Sequence, residues 1–482
     1  MSLTSALSAA ATGLTAVARA TELVASNIAN AGTEGYGRRE LQLSSNPYLS
    51  GVRIVGIDRL VNAGILGEAR LAAAGTAHAA TLSSWSRAAE AAIGIPGDGN
   101  SLPDQVAGLE SALIRATAQP ESELRLSEVL TAATSLAQSV NRIGTAAQDA
   151  RQEAEGAIAR DVAQLNAGLA EVARLNRAIV AEGTAGRDTS SLQDARQKVI
   201  DGIGEIIPLR EVARDHGAVS LFTADGATLL DGTEPVRIGF TPTSPITAEM
   251  SAATGALGFL SIDGRALSAH QMGLYSGGRL AANFQIRDTL APALQAQADQ
   301  LASDLAARFG AGGPDASIIP GAAGLFTDAG AALGPTPTAG LAQRLDINAL
   351  ADPARGGDLR RLRDGLYAAT PGPVGDASLL TGMLASLEAP RNGAPLVTGG
   401  TPRSASGLAI DLSSLSSTAR LQTDASLANR TAHSQSLQQS LAADGVDTDA
   451  ELQRLLALEQ AYAANARVIR AAGSMLDTLL EI

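Results

Sequence analysis

Few residues in this chain of 482 have the type and spacing to do chemistry. Asp444, Asp447, Asp449 and Glu451 place four carboxylates close together, the oxygen donors that a calcium ion takes. The order of an EF-hand loop with its central glycine is missing. Acids also suit the positive end of a helix dipole, and helix initiation is the preferred reading. Thr448, with Glu451 three residues on, fits a capping box there. His78, His216, His270 and His433 have no metal-ligand spacing. The absence of cysteine excludes disulfides, thiolate nucleophiles and Cys-ligated metals. No P-loop, G-x-S-x-G elbow, H-E-x-x-H or S-x-x-K motif occurs. Glu121 and Glu123, following Pro120, read as first-turn residues of a helix, and Trp85 reads as a packing residue. The expectation is a protein without catalytic residues, cofactor or metal, and not an enzyme.

What the chain does carry is helical periodicity. Leu3, Leu7, Ala10, Leu14, Val17, Thr21, Val24 and Ile28 alternate spacings of four and three, the pattern of a coiled-coil seam. Gly32, Gly35 and Gly37 then close the helix, and residues 41–57 read as turns and short strands. At the other end Leu452, Leu455, Tyr462, Ala466, Ile469, Leu476 and Leu480 fall at heptad positions, interrupted by Glu459 and Gly473. A lone helix with so narrow a stripe is marginal in water. Both ends are therefore expected to pack against other helices, and an assembly between subunits is favoured over the chain's own core.

Between these ends, residues 102–182 read as helical, with Ile158, Val162, Leu165, Leu169, Val172, Leu175 and Ile179 on one stripe. A glycine-containing turn over 182–189 precedes an amphipathic helix ending near Gly204. From Ile206 to Gly277 short alternating runs lie between Asp-Gly pairs at 225–226, 231–232 and 263–264, which is hairpin chemistry. Helix returns near Leu280, with Pro292 marking a kink or the true start. Residues 310–342 and 390–406 read as loop-like connectors. The predicted fold is mainly α with a smaller β-rich domain, its terminal helices paired in a coiled-coil-like inner domain and its domains nested and discontinuous. The boundaries expected are 1–60 with 444–482 (terminal helical assembly), 61–205 with 277–443 (long helices) and 206–276 (β hairpins).

Composition sets limits on partners. Acids outnumber lysines and arginines by 49 to 36, a formal charge of −13, which argues against nucleic acid. Aromatic residues make up only 2%, which suits slender helix packing better than a deep ligand pocket. The first 18 residues are uncharged, but they lack a basic start and are interrupted by Ser, Thr and Gly. Neither a cleavable signal nor a membrane-spanning helix is expected from them.

The segment Ala25-Ser-Asn-Ile-Ala-Asn-Ala-Gly-Thr-Glu-Gly-Tyr-Gly-Arg38 resembles the N-terminal signature of flagellar axial proteins, carried here by Asn27, Ile28, Asn30, Thr33, Gly35 and Tyr36. Their shared C-terminal helix is similar to Gly445-Val-Asp-Thr-Asp-Ala-Glu-Leu452, Gln460-Ala-Tyr-Ala-Ala-Asn465 and Leu476-Asp-Thr-Leu-Leu480, with Asn465 as the signature residue. The middle discriminates further. Leu109 to Pro120, the helix through Leu175-Asn-Arg-Ala-Ile179, Ser191-Leu-Gln-Asp-Ala-Arg-Gln-Lys-Val-Ile-Asp201 and Phe284-Gln-Ile-Arg-Asp288 are similar to the hook-associated protein 1 family, the hook–filament junction proteins.

That resemblance implies a structural adaptor at the hook–filament junction, required for filament assembly. It implies export through the flagellar type III channel without a cleavable signal, and an extracellular place on the flagellum. The implied partners are further copies of the chain in a ring, the hook protein, a second hook-associated junction protein and a cytoplasmic export chaperone on the C-terminal helix. Nucleic acid and membrane insertion are not implied. The assembly seam is assigned to Leu3, Leu7, Leu14, Val17, Val24 and Ile28 with Leu452, Leu455, Tyr462, Ile469, Leu476 and Leu480. Another axial protein (a distal rod or hook subunit) and a type III-secreted effector enzyme remain the alternatives.

Overall fold

The computed structural model describes residues 3–33, 35–45, 51–334 and 339–480, with side chains of the last helix described to residue 478. The chain opens with helix α1 (Leu3–Ala29), rich in Ala and Leu. A turn follows in which Gly35 takes φ +80°, and the backbone enters an antiparallel hairpin, β1 (Arg38–Ser45) and β2 (Val52–Leu60). The hairpin tip, 46–50, lies outside the described residues. The strands are longer than the sequence pattern suggested, and a bulge at Gln42/Leu43 shifts their register.

Helix α2 (Ala63–Ile93) starts where the Asn62 side chain accepts the Ile65 N–H and stops at Gly94, φ +86°. It buries mainly small residues: Ala74, Ala79, Ser83, Ser86 and Ala89. Next come α3 (Leu102–Ala118) and α4 (Glu123–Thr184). The single helical stretch expected over 102–182 is broken at 119–122. Pro120 has no N–H to continue the ladder, and the Ser122 hydroxyl caps a fresh start at the Arg125 N–H. Glu123 is accordingly in a first turn, while Glu121 is in the break.

With 62 residues, α4 extends roughly 90 Å at 1.5 Å per residue, and it serves two cores. Its first half packs Leu126, Val129, Leu136, Val140 and Ile143 into one apolar cluster. Its second half packs Ile158, Val162, Leu165, Leu169 and Val172 into another. That second cluster is closed by α5 (Ser190–Ile206) and by two small sheets. One sheet orders β3 (Leu209–Ala213), β4 (Val219–Thr223), β5 (Thr228–Asp231) and β6 (Glu234–Pro235) consecutively. The other holds β7 (Ile238–Gly239), β8 (Ser261–Ile262) and β9 (Arg265–Ala266). Asp225-Gly226 and Asp263-Gly264 lie in the turns between strands, with Asp263 and Gly264 both at positive φ, whereas Asp231 ends β5 and Gly232 with Thr233 makes that turn.

Helix α6 (Gly278–Gln285) passes through a π turn, Ile286–Leu290, into α7 (Ala291–Arg308). Pro292 sits in the first turn of α7, so the helix widens before it rather than ending. A short pair, β10 (Phe326–Asp328) and β11 (Leu345–Ile347), and helix α8 (Ser378–Glu388) complete the first cluster. The chain returns through α9 (Ala405–Ala443) and ends in α10 (Thr448–Leu480). Helix α9 runs antiparallel to α2, tied by Glu90–Arg420 (2.5 Å), Arg87–Asp424 (2.9 Å) and the Thr76 hydroxyl on the Arg430 carbonyl (3.2 Å). Small residues on α2 allow that close approach.

Candidate functional site

The two chain ends meet. Helices α1 and α10 lie antiparallel, with Asn27 beside Glu451 at one end and Gly13 beside Asn465 farther along. A Cβ placed on Gly13 would stand 3.1 Å from the Asn465 amide nitrogen, so this glycine sets how closely the helices approach. Val24 is buried, and Leu3, Leu7, Leu14, Val17 and Ile28 are half-buried along α1. On α10, Leu455 and Ile469 are half-buried, whereas Leu452, Tyr462 and Leu476 are exposed. The Leu480 side chain lies outside the described residues.

The inward register on α10 differs from the apolar count by one residue at its start. Glu451, not Leu452, faces the chain and is 1% exposed, and Leu452 is turned to solvent at 48%. The cause is polar. Arg38 Nε donates to Glu451 Oε1 at 2.8 Å, and the Asn27 amide donates to its other oxygen at 3.2 Å. The capping box expected from Thr448 does not form, because Glu451 is held here. Asp447 caps α10 instead, accepting the Asp449 and Ala450 N–H groups at 2.9 and 3.1 Å. Asp444 accepts from the Asn62 amide at 3.1 Å, so these acids serve separate structural contacts.

The signature residues build the connection between helix pair and hairpin. Asn27 is fully buried and makes four hydrogen bonds. Its amide donates to the Arg39 carbonyl (2.9 Å) and to Glu451, and its oxygen accepts from the Arg39 N–H (3.0 Å) and the Tyr36 hydroxyl (2.9 Å). Such a side chain imitates a strand partner for Arg39 and fixes where β1 leaves the turn. Asn30 donates to the Ser26 carbonyl at 2.9 Å, closing α1, and the Thr33 N–H donates to the Asn30 carbonyl at 2.9 Å. Gly35 supplies the left-handed step, and its carbonyl accepts from Arg59 at 3.1 Å. The Arg39 guanidinium lies over the Tyr36 ring, 4.8 Å from its centre.

Asp194 of α5 receives the other side of this junction. It accepts from the Gly37 N–H (3.0 Å), Arg39 Nη2 (2.8 Å) and Arg59 Nε (2.6 Å). Neither Asp194 nor the pair Arg39 and Arg59 stood out in the sequence. The run Arg38-Arg39-Glu40, directly after a glycine, is the one signal that could have pointed to a strand charged on both faces.

The histidines lie on separate segments: His78 on α2, His216 in the turn after β3, His270 in a short helical turn and His433 on α9. Burial, and then the charge of Arg430, holds the His78 imidazole below its ordinary range. Trp85 is partly buried against two apolar clusters. A cleft of about 570 Å³ opens beside Ile95, Asp98, Ser101 and Arg142, but the Ser101 hydroxyl is already bonded to Asp104 at 2.7 Å. Among the described residues, no helix is long and apolar enough to cross a membrane.

Three family models match in chain order. Residues 7–36 match the flagella basal body rod protein, residues 94–312 the helical domain of flagellar hook-associated protein FlgK, and residues 437–482 the C-terminal part of the flagellar basal body rod FlgEFG proteins. No curated protein matches the chain. Among solved structures, the flagellar hook junction protein FlgK from Burkholderia pseudomallei is similar at 18% identity and a TM-score of 0.44, over 54% of this chain and 46% of that one. The match thus spans less than half of that protein's length. The rod-type matches fall on α1 and α10, and the FlgK match runs from the end of α2 to just beyond α7. Ends that match rod-type axial proteins thus enclose a middle that is similar to the helical domain of the flagellar hook-associated protein FlgK.

Proposed function

We propose that the protein is a structural subunit at the hook–filament junction, an adaptor on which filament growth depends, and that it catalyses no reaction. The observation that carries this reading is the FlgK helical-domain match over 94–312, placed between ends of rod-protein type. A structural role also fits the chemistry of the junction, where Glu451 is engaged by Asn27 and Arg38, and Asp194 by Arg39 and Arg59.

The terminal helices are the assembly element of this proposal. Leu452, Leu456, Tyr462 and Met475 are 48–59% exposed on α10, although α1 already covers one side of that helix. Exposed leucines along a helix are favourable only once another surface removes them from water. The assigned partners are neighbouring copies in a ring, the hook protein and the second hook-associated junction protein. Before assembly an export chaperone would hold α10, and the chain would leave the cell through the type III channel.

Gold-labelled antibody against the chain, applied to isolated hook–filament structures, tests the reading. A single labelled band where hook meets filament is expected. Label along the hook or on the rod would overturn it in favour of another axial subunit.

A further inference from the structure

The hairpin at the signature junction is charged in a way that opposes its own formation. Across the antiparallel pair, Arg39 stands opposite Arg59 and Glu40 stands opposite Asp58. Directly opposed residues have Cβ atoms about 4.5–5.5 Å apart, and like charges there are destabilising. A two-stranded hairpin is marginal in water even without such repulsion. Each like-charged pair, however, is met by one opposite charge from outside the hairpin. Asp194 of α5 lies between the two arginines, 2.8 Å from Arg39 and 2.6 Å from Arg59. Arg454 of α10 binds Glu40, while Asp58 is bonded to Gln42.

Strand alternation separates the two contacts. Arg38 and Glu40 point to α10, through Glu451 and Arg454, and Arg39 between them points to α5. Asn27 holds both backbone groups of Arg39, so neither face can shift along the strand without the other. We propose that β1 and β2 form a two-sided clamp that closes fully only when α10 and α5 are both docked. Docking of the C-terminal helix and orientation of the helical body thereby become conditional on each other. This coupling lies within one chain and does not depend on the flagellar reading. It adds a device by which a terminal helix pair and an outer body would move as one piece.

Hydrogen exchange on the full chain tests the clamp, with the variants Asp194→Asn, Arg454→Gln, their double, and Asp194→Asn with Arg59→Gln. Asp194→Asn is expected to speed exchange at Gly37 and in the hairpin, and also in residues 449–456 of α10, by at least about threefold. Arg454→Gln is expected to act in the opposite direction, speeding exchange at Gly37 on the far face. The double variant should fall short of the product of the two single effects, because a clamp opened once has little left to lose. Adding Arg59→Gln to Asp194→Asn should slow exchange again by removing the unbalanced arginine pair. Effects confined to each variant's own face, a double variant equal to the product, or no recovery with Arg59→Gln would overturn the proposal. General loss of protection in α3 and α4 would also contradict it, since the clamp lies outside that core.

Discussion

Replacing Asn27 by alanine removes four hydrogen bonds at a site with no access to water. At about 1 kcal/mol net for each, the upper figure is roughly 4 kcal/mol. Two partners keep alternatives: Tyr36 retains Ser26 at 3.3 Å, and Glu451 retains Arg38 at 2.8 Å. The backbone N–H and carbonyl of Arg39 have no such substitute and are left unpaired away from water, at about 1.5 kcal/mol each, which makes about 3 kcal/mol the expected loss. At 1.4 kcal/mol per factor of ten, this is roughly a hundredfold rise in local opening. The assay is hydrogen exchange at residues 36–40 and 449–456, because unfolding of the whole chain would mix this event with the two apolar cores. Asn27→Asp sharpens the test. It preserves shape and both acceptor contacts but sets a second carboxylate beside Glu451, 3.2 Å from the present amide. One of the two must then take up a proton, so the variant should open at neutral pH and recover as pH falls. Exchange within about threefold of the native chain in both variants would refute this reading of the junction.

Leu456→Asp should leave the isolated chain unchanged, because Leu456 is 59% exposed and α1 does not cover it. In cells the same variant should be exported yet fail to support filaments, and filament counts with secreted variant protein as control check this. Ile469→Asp differs in kind, since Ile469 is half-buried: it should loosen the α1–α10 pair in the isolated chain, read as faster exchange in both helices. Burial pushes the Asp299 carboxyl above the ordinary range, against the Ala342 and Gly340 N–H groups and the Gln295 amide that favour its charged form. The folded chain therefore binds that proton more tightly than the unfolded one. The stability it contributes is present at low pH and lost as pH rises from about 4 through the raised value. Urea unfolding should show the native chain losing ground to Asp299→Asn over that interval, and the reverse slope would contradict the sign.

The sequence was most readable where an apolar stripe must face a partner. Residues Ile158 to Leu175 show the three-and-four spacing that α4 buries, whereas of the expected α1 stripe only Ala10 and Val24 are buried, beside Ala16, Leu23 and Asn27. Asp263-Gly264 is legible for a different reason: only a few residue types accept positive φ in two-residue turns. Helices α2 and α9 gave no such sign. They meet at Gly75, Thr76 and Ser83, and by ion pairs at Arg87 and Glu90, so no leucine stripe marks the contact. The register of α10 was hidden by the same kind of chemistry. Hydrophobic spacing favours Leu452 as an inward residue, but a fully paired Glu451 takes that place because Arg38 and Asn27 await it. Of the site, the signature residues were visible as a pattern, while their partners Asp194 and Glu451 are distant in sequence and only folding brings them together. Pro292 shows an intermediate case, in which the residue announces a disturbance and the structure decides its form as a π turn.

The central proposal is that this chain joins hook to filament, and deletion of its gene in the organism that encodes it tests that proposal most directly. Electron microscopy of the deletion strain should show complete hooks without filaments, with flagellin shed into the medium. Filaments of normal length on those hooks would contradict the account, as would cells in which the hooks themselves are missing.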